Sequence, residues 1–211
     1  MRVTVRAVAL RMPLSFSLTW DYRCPFARNA HEHVLTGLEA GADWDVRFLP
    51  FSLDQTHVEE GQPPVWERPE EYRGLLVNLA GVVVRDRHPE RFREVHRALF
   101  AIRHDEGRDT RDADVIASVL KDHGVDATSV LAEIEDGWPL RTLQREHTEA
   151  ADNLGVWGVP TFIQGDQAVF VRLLDRPGDD PAASVRSIER IVDLITTFPA
   201  LNEFKYTKLP F

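Results

Sequence analysis

The sequence predicts an α/β fold in which a four-stranded mixed sheet is interrupted by an all-helical insertion. Three observations carry this: alternating apolar runs near both ends, an unbroken series of helical stripes between them, and a cysteine that opens a helix directly after the first strand. Ser15-Phe16-Ser17-Leu18-Thr19-Trp20 alternates as a strand over about 15–21. After Cys24, small or apolar residues recur at Ala27, Ala30, Val34, Leu35 and Leu38, a helical spacing. Gly41 ends that helix, and Trp44 to Leu49 alternates again as a second strand. Two strands bracketing one helix imply a right-handed β-α-β crossover.

From about Pro64 to Leu154 the period changes. Stripes beginning at Tyr72, Phe92, Val115, Ala127 and Leu140 predict five consecutive helices, joined by short polar turns such as His88-Pro89 and His123-Gly124. Strands return at 161–164 and 168–173 around the Gly165-Asp166 turn, a hairpin signal. A last helix spans 182–197 with Val185, Ile188, Ile191, Val192 and Ile195 on one face. The tail keeps Phe204, Tyr206 and Phe211, apolar enough to predict docking on the body. The division is therefore a sheet domain over 14–63 and 155–211 with an inserted helical domain over 64–154. Residues 1–13 are expected to be disordered or extended, with Met12 as an alternative start of translation.

The net charge of -9 argues against a nucleic-acid partner, because no segment concentrates enough Lys and Arg to outweigh it. No apolar run approaches membrane-spanning length, so no membrane partner is expected. Arg2, Arg6 and Arg11 break up any signal-peptide core. One cysteine cannot form an intrachain disulfide, which favours a reducing, cytoplasmic setting. The abundance of Arg, Ala, Asp and Val resembles the coding bias of a high-GC bacterium.

Cys24 sits where a reactive thiol is made. As the N-cap of its helix it can accept from the amides of Phe26 and Ala27, and Pro25 suits the first helical position. The positive helix end adds about 0.3–1 kcal/mol in favour of a thiolate. Arg23 and Arg28 are placed to hold negative charge. The competing fate is a buried, inert cysteine. Ala27 stands where a dithiol site has its second cysteine, so a mixed disulfide would persist until an outside thiol resolves it.

Gly158-Val159-Pro160-Thr161 precedes a late strand. Val159-Pro160 is read either as a cis peptide opposite the thiol, leaving the Val159 backbone to pair with an extended substrate, or as a simple helix terminator. Trp157 is read either as a wall of the site or as a loop residue packed on the helical block. His147 lies on an apolar helical face; it is a core histidine or else the proton donor to test first. Asp21 is a capping or surface acid unless it orients a group near Cys24. His31 and His33 diverge on a helix, so no shared metal is expected.

Together these residues are similar to the DsbA-like thioredoxin superfamily, over essentially the whole chain after Pro13. The resemblance rests on Trp20-Asp21-Tyr22-Arg23-Cys24-Pro25-Phe26-Ala27, the long helical insertion, Gly158-Val159-Pro160-Thr161, and the closing Phe198-Pro199 with Phe204-Lys205. It implies a thioredoxin-like fold, catalysis at Cys24 supported by Pro25, Phe26 and Ala27, and substrate contacts at Trp157, Val159, Pro160 and Thr161. The tail resembles the actinobacterial mycothiol-dependent reductases, which carry Cys-Pro-Trp-Cys where this chain has Cys-Pro-Phe-Ala. Kappa-class glutathione transferases and hydroxychromene-carboxylate isomerases share the fold and use a lone Ser or Cys at the same helix start.

The expected function is a thiol oxidoreductase acting through the single Cys24. It would hold no bound cofactor and would use mycothiol or glutathione as co-substrate against a disulfide or electrophile. The alternatives are a transferase- or isomerase-like enzyme with a small thiol co-substrate, and a non-catalytic binding module. A homodimer remains open.

Overall fold

β1 (Leu14–Trp20) and β2 (Trp44–Pro50) pair in parallel from Leu14 opposite Trp44 to Trp20 opposite Pro50, with α1 (Pro25–Glu39) crossing between them. The structure, a computed structural model, describes residues 12–208. Residues 1–11 of the expected N-terminal overhang, and Phe211, lie outside the described residues. After β2 come a single turn, α2 (Leu53–Thr56), and two short 3-10 turns that the apolar pattern had not signalled. Then follow α3 (Tyr72–Arg87), α4 (Pro89–His104), α5 (Ala113–Asp122), α6 (Ala127–Glu135) and α7 (Trp138–Leu154). The chain closes with β3 (Thr161–Gln164), β4 (Gln167–Phe170) and α8 (Pro181–Thr197).

β3 runs antiparallel to β1 and β4 antiparallel to β3, so the sheet order is β2-β1-β3-β4. This is the mixed four-stranded sheet with a helical insertion that the sequence predicts. Local chemistry sets the element boundaries. The side chains of Asp112, Asp126 and Asp180 cap α5, α6 and α8 by accepting from amides two residues on. Pro25, Pro89 and Pro181 occupy first helical positions, where a missing N–H costs nothing. Gly155, with φ 65°, stops α7 in the left-handed conformation.

Two expectations need correction. β4 ends at Phe170 rather than at 173, because the carbonyls of Leu173 and Leu174 turn away to accept from Asn29 Nδ2 of α1, each at 2.9 Å. The described part of the tail does not dock on the body: Phe198, Phe204 and Tyr206 are exposed, and Phe204 packs edge-on against Tyr206.

One apolar cluster joins Leu18 and Trp20 of β1, Val34 and Leu35 of α1, and Val82, Val83 and Leu99 of the inserted helices. A polar chain crosses the same seam. The Thr19 carbonyl can only accept, so His31 Nε2–H donates to it at 3.0 Å. His31 Nδ1 then accepts from His96 Nε2–H at 2.9 Å, and His96 Nδ1 accepts from the Tyr22 hydroxyl at 2.6 Å. The carbonyl thus determines every tautomer. Gly81 makes room for the tyrosine; a Cβ there would lie 2.5 Å from its hydroxyl oxygen. Burial pushes His31 down to about 4, His96 well below its ordinary value and Tyr22 well above.

An unfolded histidine takes up its proton near 6.5, whereas His31 resists until about 4. Unfolding therefore binds protons between those values: stability is full above about pH 6.5 and falls as pH drops. Each such histidine steepens the fall by up to ~1.4 kcal/mol per pH unit. Urea midpoints measured from about pH 7 down to pH 5 should decline accordingly. His96→Phe should cost about 2–4 kcal/mol at neutral pH, by stranding Tyr22 and His31, while making the acid decline shallower.

Candidate functional site

Cys24 is the N-cap of α1, with φ -90° and ψ 118°, and Pro25 follows at the first helical position. Its Sγ accepts from Ala27 N–H at 3.4 Å, and the Phe26 amide also favours the charged form. On its other side Sγ–H donates to the Val159 carbonyl at 3.3 Å. The Val159–Pro160 peptide is cis. The structure therefore brings together two segments 135 residues apart, the helix start and the late loop.

The balance of forces on the thiol departs from expectation. Cys24 is 8% exposed, and burial raises its pKa above the ordinary value of 9.0. The Ala27 and Phe26 amides pull it down, but less than burial pushes it up, and the charge of Asp21 adds to the rise. The resting sulfur is a protonated donor to a carbonyl, not the thiolate that its capping position predicts.

The arginines do not help it, because carboxylates claim them. Arg23 bonds Asp21 at 2.8 Å and Asp54 at 2.6 Å. Arg28 bonds Glu32 at 2.9 Å and Asp105 at 2.5 Å. Asp21 is fully buried rather than a surface acid. It accepts from the Arg23 amide and guanidinium and from Leu53 N–H at 2.9 Å, tying the loop before Cys24 to the start of α2.

The remaining residues divide. Ala27 is fully buried against the sulfur. Thr161 spends its polar groups on the loop itself: its amide donates to Thr19 Oγ1 at 2.9 Å and its hydroxyl to Gly158 O at 2.8 Å. Through these two groups it braces the cis-proline loop on β1. Trp157 is 66% exposed and packs on Phe170 of β4, with ring centres 4.5 Å apart, not on the helical block. His147 accepts from Ser52 N–H at 3.2 Å, packs over Phe51 and meets Trp66 edge-on. Burial holds it down to about 4, so at neutral pH it is a neutral imidazole packed on the apolar side of α7.

His31 and His33 diverge to separate partners, His33 meeting Ser184 and the Asp175 carbonyl. Among the described residues no group of His, Cys, Asp and Glu could hold a metal ion, and no helix is long and apolar enough to cross a membrane. Two concavities of about 420 Å³ open beside Leu14 and beside Phe48; Cys24, Phe26 and Trp157 line neither. Sequence reasoning passed over Arg172, whose guanidinium lies 5.4 Å above the Phe26 ring. Its place in an alternating run carries no sign of that contact.

A helix-capping thiol facing a cis-proline loop across a mixed sheet defines a thioredoxin-like thiol protein. The family model for the DSBA-like thioredoxin domain matches residues 18–176, more than half of the chain, and the chain belongs to that family. No curated protein matches the sequence. Among solved structures, a 2-hydroxychromene-2-carboxylate isomerase is similar with TM-score 0.58 and 14% identity, covering 85% of this chain and 97% of that one. Reduced DsbA1 from Neisseria meningitidis gives TM-score 0.55 and 14% identity, with coverage of 90% and 88%. BdbD from Bacillus subtilis gives 0.56 and 12%, with coverage of 88% and 90%. At these identities the likeness is one of fold.

Because burial outweighs the helix amides, iodoacetamide should alkylate native Cys24 more slowly near pH 7 than the same residue in urea-unfolded protein. The native rate should climb with a midpoint above that of an ordinary thiol. A native rate faster than the unfolded one would show that the amides win.

Proposed function

We propose that the protein is a monothiol oxidoreductase in which Cys24 exchanges with small disulfides and a low-molecular-weight thiol restores it. The observation that carries this reading is the position of Sγ between Ala27 N–H and the Val159 carbonyl, with alanine in place of a resolving cysteine. In the first step the Cys24 proton goes to solvent, the sulfur attacks one substrate sulfur, and the other leaves as a thiolate. In the second, an external thiolate attacks the mixed disulfide and Cys24 leaves as its own thiolate, which the helix amides then receive. Neither step needs a second protein thiol. Val159 N–H makes no hydrogen bond among the described residues, which supports pairing with an extended substrate there. Mycothiol and glutathione are the thiol candidates and the cytoplasm the compartment in which such a cycle turns over.

A second reading has its own support. A protonated Cys24 is a hydrogen-bond donor, able to hold the sulfur of a bound small thiol as a transferase- or isomerase-like enzyme would. Saturable thiol binding without a covalent adduct would favour it. A non-catalytic binding module is the reading left if Cys24→Ser changes nothing.

Intact mass after incubation with glutathione disulfide, or with the disulfide of mycothiol, should show one adduct that vanishes on adding the free thiol and is absent from Cys24→Ser. Ala27→Cys should convert the stable adduct into an intrachain disulfide with release of the small thiol. An unmodified mass under all conditions would overturn the exchange reading.

A further inference from the structure

We infer that Arg172 is a specificity-determining residue that selects carboxylate-bearing substrates for the Cys24 thiol; the inference rests on the exchange reading above and adds the substrate's charge to it. Five arginines meet α1 or the loop before it, and one of them, Arg97, pairs with Glu39 at the far end of the helix. Arg23, Arg28 and Arg176 are each tied to two carboxylates: Arg23 to Asp21 and Asp54, Arg28 and Arg176 to Glu32 and Asp105. Arg172 is exposed and makes no ion pair among the described residues, and its guanidinium is instead held over the half-buried Phe26 ring at 5.4 Å. A cation over an aromatic face is oriented while its in-plane N–H groups stay free to donate, the geometry that suits a carboxylate.

Both walls of the thiol site lead to this side chain. Phe26, its platform, stands two residues after Cys24 in the first turn of α1. Val171, its neighbour in the chain, donates its amide to the Pro160 carbonyl at 3.1 Å, and the preceding Val159 carbonyl accepts from Sγ at 3.3 Å. The guanidinium is thus placed at the rim where the helix start and the cis-proline loop meet. Taken as a whole, a chain with net charge -9 disfavours anions. At this rim an uncompensated positive charge reverses that bias, so a disulfide or electrophile carrying a carboxylate near its reacting atom gains where a cationic one loses.

The test compares three disulfides on the full chain under stopped flow near pH 8. They are 5,5'-dithiobis(2-nitrobenzoate), which is anionic; 4,4'-dithiodipyridine, which is neutral; and cystamine, which is cationic. In each, the Cys24 thiolate bonds to one reagent sulfur and the other sulfur departs with the electron pair of the broken bond. Arg172→Gln should slow the anionic reagent by about threefold to tenfold, leave the neutral one within about twofold, and speed cystamine. Arg172→Lys should retain most of the anion preference. Added salt should erase the wild-type advantage for the anion over a Debye length of about 10 Å at 0.1 M. Unchanged selectivity in Arg172→Gln would overturn this inference alone. Failure of Cys24 to react with all three reagents in the folded protein would overturn the exchange reading and this one with it.

Discussion

A single sulfur atom shared between amides and a carbonyl is the constraint on which the site depends. Sγ of Cys24 meets the first-turn N–H groups of α1 on one side and the Val159 oxygen on the other. The amides stabilise a thiolate; the carbonyl can only accept, so it stabilises the thiol. Burial and the Asp21 charge side with the carbonyl. The resting state is consequently the neutral one.

That geometry is maintained by charges that never touch the sulfur. Asp21 gathers Arg23 and the Leu53 amide, and Arg23 reaches on to Asp54, so the loop before Cys24 is pinned to the segment after β2. Glu32 on α1 gathers Arg28 and Arg176, and Asp105 at the end of α4 shares both. Partly buried pairs of this kind add little net stability once desolvation and solvent screening are counted. Their effect is orientational: they link helix, insertion and closing segment, and they divert two arginines from the thiol.

The insertion and the sheet are joined by apolar packing and by the Tyr22–His96–His31–Thr19 chain. A wholly neutral chain of this sort avoids the cost of buried charge and still demands one arrangement, since each partner has a single tautomer to offer. Its residues come from β1, from the loop before Cys24, from α1 and from α4. A shift of the insertion would therefore be felt in the loop that presents the thiol.

Much of this was legible locally. Alternation over Ser15–Trp20, the stripe after Cys24, Pro25 at the first helical position and the Gly165-Asp166 turn each depend on neighbours a few residues apart. Such short-range terms are written directly in the order of side chains, and they determined the elements, the fold class and the capping role of Cys24. The partners of each charge were decided only in three dimensions. Nothing near His31 announces His96, 65 positions away, and nothing near Arg28 announces Asp105. The protonation of Cys24 belongs to the same class. Its capping amides are local, but the burial and the Val159 carbonyl that outweigh them arrive with the tertiary fold, because solvent exclusion is a property of the packed chain and not of any segment within it.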